Sequence, residues 1–276
     1  MRARRYFFIH LVKTAGTTLR KRLEHHFGES AIYPDPSDVN QTEYFSIERL
    51  RERMQARGDE IRVVTGHFPL CTAEILGGGF TTLTIVREPV GRILSHLRHH
   101  REWTPGDRDR RLEEIYSDPQ VFHGLLHNHM VKMFSLTPDE AFSLTPDEPN
   151  ARDRRASRRQ VAGRLRTAGV LTHVEFTPER LERAKTRLAS VDALGLHERM
   201  DEFFRELACR FEWDLGPPQH EMQGEPIAKR EARAEVSDAF RARLAEDNAM
   251  DIELYRFAKR LYDRRKADSA RGRVAR

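Results

Sequence analysis

Short apolar runs that alternate with helical patterns restrict the fold of this chain more than any other feature of its sequence. Four runs, bounded by polar or glycine-containing segments, predict buried strands at Tyr6–Leu11, Ile61–Thr65, Thr82–Val86 and Gly169–Val174. Strands that alternate with helices form an α/β fold with a mostly parallel central sheet flanked by helices. Such a sheet binds ligands beyond the carboxyl ends of its strands, so we expect the chemistry there.

The helical patterns have recognisable starts and stops. A helix that carries Ile47, Leu50 and Met54 has Ser46 as its N-cap and Gly58 as its stop. Other apolar stripes at helical spacing are Leu19, Leu23 and Phe27, and Val90, Ile93, Leu94 and Leu97. The C-terminal half is helix-rich, with helices predicted at Pro178–Ala189, Glu198–Phe211 and Val236–Arg264, the last capped near Ser237. We predict one domain over residues 1–263, followed by a basic, disordered tail at 264–276.

Composition limits the partners and the compartment. The 276 residues carry a formal net charge of +5, which suits an anionic partner but does not identify one. Cys71 and Cys209 form no C-x-x-C motif, so a reducing compartment is the simpler interpretation. The apolar run near the N-terminus stops at Lys13, and no stretch is long enough to span a membrane. We expect a soluble, cytoplasmic protein.

The turn after the first strand has the composition of a phosphate-binding loop. It reads Lys13-Thr14-Ala15-Gly16-Thr17-Thr18 and leads directly into the first helix. A helix N-terminus offers unpaired backbone N–H groups and the positive end of the helix dipole, and both favour phosphate. A glycine that permits close approach, three hydroxyl donors and a lysine strengthen this prediction over that of a simple capped turn.

The loop differs from the Walker A loop of P-loop nucleotidases. In that motif the lysine follows the second glycine, whereas Lys13 precedes Gly16. A nucleotidase also needs a strand-end Asp for magnesium, but the third predicted strand ends in Arg87. A cation at this edge of the sheet favours a second phosphate. A nucleotide-dependent kinase is therefore the weaker enzymatic alternative.

His67 follows the second predicted strand and therefore lies at the same edge of the sheet. With an ordinary pKa near ~6.5, a histidine there can accept a proton at neutral pH. A histidine in a strand-end turn is often structural, but its place beside a phosphate loop favours a general base. His123 and His127 are spaced four residues apart on a predicted helix, but they lack the Glu of H-E-x-x-H, and we predict no metal site.

Two segments carry a specific resemblance to a known family. His10-Leu-Val-Lys-Thr-Ala-Gly-Thr-Thr18 resembles the 5′-phosphosulfate loop of sulfotransferases that use 3′-phosphoadenosine 5′-phosphosulfate (PAPS). The resemblance is to the branch that includes the heparan sulfate 2-O-sulfotransferases and bacterial sulfotransferase family 2 proteins. Where that loop often reads Pro-Lys, this chain has Val12-Lys13. Val86-Arg-Glu-Pro-Val-Gly-Arg-Ile-Leu-Ser95 is similar to the family's 3′-phosphate motif.

The resemblance implies a P-loop-like sulfotransferase fold, PAPS as co-substrate without a required metal, and transfer of a sulfuryl group to a hydroxyl of a small molecule, lipid or glycan. It implies cofactor binding by Lys13, Thr14, Ala15, Gly16, Thr17, Thr18, Arg87 and Ser95. His67 and Lys13 are then the catalytic residues. Weaker similarity around Asn128-His-Met-Val-Lys132 makes Asn128 and Lys132 candidate substrate contacts. Arg92, within the 3′-phosphate motif, is either a phosphate ligand or a surface residue.

Two features remain outside this interpretation. Phe134-Ser-Leu-Thr-Pro-Asp-Glu-Ala141 is repeated almost unchanged up to Pro149, and each Thr-Pro-Asp-Glu predicts a capped helix start in a surface connection. Arg152–Arg166 holds seven arginines against one Asp. A nucleic-acid-binding protein could use that cluster and the basic tail, but the sequence contains no recognised nucleic-acid-binding motif, and we predict no such partner.

Overall fold

A five-stranded, all-parallel sheet organises the protein in the computed structural model, which describes residues 4–35, 46–143, 174–217 and 236–274. The strands are β1 (Arg5–Ile9), β2 (Ile32–Tyr33), β3 (Val63–Val64), β4 (Phe80–Val86) and β5 (Ala193–Leu196). They lie in the order β2-β3-β1-β4-β5. The predicted α/β class with a parallel sheet is confirmed.

Helices surround this sheet. The helices up to residue 143 are α1 (Gly16–Phe27), α2 (Ile47–Arg57), α3 (Cys71–Ile75), α4 (Pro89–Trp103), α5 (Leu112–Tyr116), α6 (Pro119–Val121), α7 (His129–Ser135) and α8 (Pro138–Ser143). A π-helical turn at Phe122–Leu126 precedes α7. The later helices are α9 (Pro178–Ala189), α10 (Met200–Phe211), α11 (Asp238–Asp247) and α12 (Ala249–Val274). None in the described part of the chain is long and apolar enough to cross a membrane.

The side chains of β1 show why both faces of the sheet are covered. Phe7 and Ile9 are buried in a cluster that includes α7, α9 and α12. Tyr6 and Phe8 point to the other face and are buried against α1 and α10. Successive strand residues point to opposite faces, so an apolar run without alternation requires helices on both sides. A third cluster joins α4, α5 and α11.

Three of the predicted strands form, with shifted ends, and two strands were missed. The run at Gly169–Val174 lies outside the described residues except for Val174, which is buried but not in a strand. β2 has only two residues, too few for a pattern. β5 reads Ala-Leu-Gly-Leu, without the β-branched residues that indicate a strand. Its Gly195 is required because a Cβ there would lie 2.7 Å from the Phe203 ring.

The predicted helix starts are largely confirmed. Ser46, Thr177 and Ser237 each accept a backbone N–H of the helix they precede. The helix predicted from Val236 is broken at Asn248, between α11 and α12. α12 continues through the first part of the predicted basic tail, as far as Val274. Arg265 anchors this part by donating to the carbonyl oxygens of Val191 and Ala189.

The prediction of a surface connection is wrong for the first copy of the repeated segment. Phe134 and Leu136 are fully buried. The predicted capping box forms, since the backbone N–H of Thr137 donates to Glu140 and that of Glu140 donates to the Thr137 hydroxyl. Arg180 of α9 also binds the Glu140 carboxylate at 2.5 Å. This copy therefore joins α8 to the core, while the second copy from residue 144 onward and the Arg152–Arg166 cluster lie outside the described residues.

Candidate active site

The loop between β1 and α1 holds an unusual backbone conformation. Lys13 and Ala15 have φ of 64° and 66°, the left-handed region that non-glycine residues seldom adopt. Ala15 is the N-cap of α1 and has no side-chain acceptor to offer, and the first turn carries no acidic residue. The helix thus presents an electropositive end that lacks a capping side chain. Left-handed residues at such an end are typical of anion-binding loops.

Gly16 makes a close approach, but to a side chain of the protein. A Cβ at this position would lie 1.9 Å from the imidazole of His10, so no larger residue fits without displacing that ring. The His10 ring is stacked on Phe8, with centroids 5.3 Å apart. The sequence predicts that Gly16 makes room for phosphate, but in the structure its lack of a side chain makes room for the His10 ring.

The threonines of the loop have different surroundings. Thr14 is fully buried and its hydroxyl donates to the Leu11 carbonyl at 2.9 Å, so this hydroxyl stabilises the loop. Thr17 is exposed and Thr18 is half-buried in the first turn of α1. The predicted role of Thr14 as a hydroxyl donor to phosphate is therefore not supported, while Thr17 and Thr18 remain at the accessible end of the helix.

Arg87 brings a second cation to this loop from the end of β4. Its guanidinium donates to the carbonyl oxygen of Lys13 at 3.0 Å. Burial lowers the pKa of the Lys13 ammonium and the charge of Arg87 lowers it further, while Glu102 raises it. The two like charges repel each other, and an anion between them would relieve that repulsion.

The predicted 3′-phosphate motif continues along α4. Glu88 caps the start of α4 by accepting the backbone N–H groups of Val90 and Gly91 at 3.0 and 2.6 Å. Ser95 is half-buried on that helix. Arg92 is not a surface residue, because it is fully buried and donates to the carbonyl oxygens of Leu125 and Leu126. These contacts do not support a role as a phosphate ligand.

His67 follows β3 and lies beside the same loop. Its Nδ1 is 2.7 Å from the carbonyl oxygen of His10, and the two imidazole rings are 4.6 Å apart. A carbonyl oxygen can only accept, so Nδ1 carries the proton and the lone pair of the neutral ring lies on Nε2. Burial lowers the pKa of His67, although the hydrogen bond to His10 raises it. His67 is therefore neutral at pH 7, which is the state a general base requires.

The strand order explains why these residues meet. β1 lies between β3 and β4, so the loop at Lys13 has His67 on one side and Arg87 on the other. β5 lies next to β4, and His197 follows its carboxyl end. Burial lowers the pKa of His197 and the charge of Arg87 lowers it further. His197 is a candidate contact that sequence analysis missed because β5 was not recognised.

Asn128 and Lys132 lie in the interior of the protein, with exposed fractions of 4% and 0%. The Asn128 backbone N–H donates to the Asn248 side chain at 2.8 Å, and its side-chain oxygen accepts the N–H of Asp251. The Lys132 ammonium donates to the carbonyl oxygens of His123 and Gly124. Direct contact with a substrate is not supported for either residue, and we assign both to the packing of α7.

The described residues include no group of three or more His, Cys, Asp or Glu side chains that could hold a metal ion. Cys71 is buried and Cys209 exposed, and both are free thiols. Comparison of the chain with protein-family models and with curated proteins finds no match.

Proposed function

We propose that this protein is a PAPS-dependent sulfotransferase with a P-loop-like sulfotransferase fold. The observation that supports this most is the joint position of Lys13, His67 and Arg87 around a loop with two left-handed residues, at the carboxyl edge of a parallel sheet. The loop and the α1 N-terminus suit a 5′-phosphate, and Arg87 suits a 3′-phosphate. The motif resemblance supports the same assignment.

Each residue has a defined task in the proposed reaction. His67 Nε2 accepts the proton of the acceptor hydroxyl as the oxygen bonds to sulfur. The Lys13 ammonium stabilises the negative charge that develops on the bridging oxygen as the bond from that oxygen to sulfur breaks. The products are a sulfate ester, adenosine 3′,5′-bisphosphate and the proton left on His67. His10 positions the base, because its carbonyl oxygen fixes the His67 tautomer.

The acceptor class remains broad: a hydroxyl on a small molecule, a lipid or a glycan, and no nucleic acid. We place the reaction in the cytoplasm, since two free thiols suit a reducing compartment. A kinase is less well supported because Arg87, and not an acidic residue, follows β4.

Calorimetric titration with adenosine 3′,5′-bisphosphate and with AMP tests the proposal on the wild type and on Arg87→Ala. We expect the wild type to prefer the bisphosphate. Arg87→Ala should weaken bisphosphate binding about 10- to 100-fold, the value of a hydrogen bond to a charged group, and weaken AMP binding much less. Arg205→Ala is a matched control, because it removes an exposed arginine of α10 whose guanidinium donates to the Asp201 carbonyl oxygen of the same helix.

Two results would contradict the proposal. One is the absence of bisphosphate binding by the wild type, and the other is a preference for ATP–Mg²⁺, which would support a kinase. An equal loss with both nucleotides in Arg87→Ala would show that Arg87 only supports the Lys13 loop.

A further inference from the structure

The register of the sheet places a histidine beside Arg87. β4 and β5 run parallel, and Val86 is paired with Leu196 where both strands end. Arg87 and His197 are the next residues on these two neighbouring strands. Adjacent strands of a sheet lie about 4.8 Å apart, so side chains at matching positions touch when they point to the same face.

Arg87 and His197 do point to the same face. Val86 and Leu196, the residues before them, are both buried in the cluster that includes α7, α9 and α12. Successive strand residues point to opposite faces, and the backbone of Leu196 is still extended, so this alternation continues past the end of β5. Both side chains are therefore directed to the other face, which α1 and α10 cover.

The loop between β1 and α1 lies on this same face. His10, directly after β1, stacks on Phe8, and Phe8 is buried against α1. The Arg87 guanidinium reaches this loop, because it donates to the Lys13 carbonyl oxygen at 3.0 Å. β4 lies between β1 and β5, so Arg87 has Lys13 on one side and His197 on the other. The three residues follow one another along the edge of the sheet.

His197 has the chemistry and the access to bind an anion together with Arg87. Both side chains are only half-buried, so a ligand can reach them. Burial lowers the pKa of His197 and the charge of Arg87 lowers it further, while Glu198 raises it. The neutral imidazole still offers one N–H donor, and the guanidinium has further N–H groups beyond the one bound to Lys13. Both kinds of donor suit phosphate oxygens.

We propose that His197 and Arg87 bind the same 3′-phosphate, which makes His197 a determinant of selectivity for 3′-phosphorylated nucleotides. This inference rests on the proposed function. His197 lies on the side of Arg87 that faces away from the Lys13 loop, to which we assign the 5′-phosphate. Its contribution to binding should therefore require the 3′-phosphate and vanish for a nucleotide that has only a 5′-phosphate.

Calorimetric titration of His197→Leu and His197→Gln with adenosine 3′,5′-bisphosphate and with AMP tests this assignment. His197→Leu should weaken bisphosphate binding about 10- to 100-fold, the value of a hydrogen bond to a charged group, and change AMP binding less than about twofold. His197→Gln keeps an N–H donor and should bind the bisphosphate more tightly than His197→Leu does. A histidine that only packs β5 against α10 would affect both nucleotides equally.

His25→Leu is the matched control. His25 lies in the last turn of α1, at the opposite end of that helix from the loop, and its imidazole is 3.4 Å from the Asp214 carboxylate. This variant also replaces a histidine by leucine, but it should leave the affinities for both nucleotides unchanged.

A double-mutant cycle with Arg87→Ala tests whether the two side chains act on one phosphate. The loss caused by His197→Leu should be smaller in the Arg87→Ala background, since contacts to a shared group are not additive. The same loss in both backgrounds, an unchanged bisphosphate affinity in both His197 variants, or equal weakening of both nucleotides would overturn the assignment. If the wild type prefers the bisphosphate but His197→Leu behaves like His25→Leu, only this inference fails. If the wild type binds no bisphosphate, the proposed function fails and this inference fails with it.

Discussion

Gly16→Ala offers a sharp test of the packing behind the loop between β1 and α1. The added Cβ would lie 1.9 Å from Cδ2 and Nε2 of His10, while ordinary carbon contacts are about 3.5–4.0 Å. The His10 ring is held between Phe8 and His67, with centroids 5.3 and 4.6 Å away. A shift of this ring therefore disturbs both neighbours.

Two opposing terms decide the sign. Alanine in place of glycine in a helix gains up to about 1 kcal/mol, but it gains less at the first position. Overpacking a filled site costs about 1–3 kcal/mol, and the stacked ring leaves little room for relaxation. We expect a net loss of about 1–2 kcal/mol in the free energy of unfolding, which corresponds to roughly 2–6 °C in melting temperature.

Chemical denaturation of four variants measures this effect: Gly16→Ala, Gly106→Ala, His10→Ala and the double variant Gly16→Ala/His10→Ala. Gly106→Ala is the control, because Gly106 has no atom within 4 Å of an added Cβ and should be neutral or slightly stabilised. His10→Ala in the Gly16→Ala background removes the obstructing ring and keeps the carbonyl that orients His67. The double variant should therefore be more stable than the sum of the single changes predicts. If Gly16→Ala is as stable as Gly106→Ala, the close contact with His10 is wrong.

Two further predictions concern proton binding. The pKa of His67 lies below its ordinary value of 6.5, so kcat/KM for sulfuryl transfer should rise with pH along a limb centred below 6.5 and then level off. His67→Ala should lose about 10²- to 10⁴-fold in kcat, and a limb above pH 7 or a loss below tenfold would remove His67 as the base. Burial lowers the pKa of Lys132 to about 7, so above that pH the unfolded chain binds more protons than the folded one. In urea titrations, the free energy of unfolding of the wild type relative to Lys132→Met should therefore rise from about pH 7 towards pH 10, and a flat difference would contradict the buried-lysine assignment.

The sequence predicted that Lys13, His67 and Arg87 follow strands at one edge of the sheet, because local patterns carried that information. A strand followed by Lys13-Thr-Ala-Gly-Thr-Thr18 is a local signal, and so are the strand ends before His67 and Arg87. The parallel sheet then brings these ends together whatever the details of the helices.

What could not be predicted depends on long-range packing. The buried guanidinium of Arg92 donates to carbonyl oxygens of the π-helical turn, which lies more than 30 residues further along the chain. Asn128 is paired with Asn248 across 120 residues. A motif match indicates that such residues are similar to those of a family, but it does not tell whether their side chains face a ligand or another helix.

The most direct test of the account is a crystal structure with adenosine 3′,5′-bisphosphate bound. We predict the 5′-phosphate at the Lys13–Thr18 loop and the α1 N-terminus, the 3′-phosphate at Arg87, and His67 facing the position where the sulfuryl group would be attached. A nucleotide bound elsewhere, or one whose phosphates touch neither Lys13 nor Arg87, would contradict it.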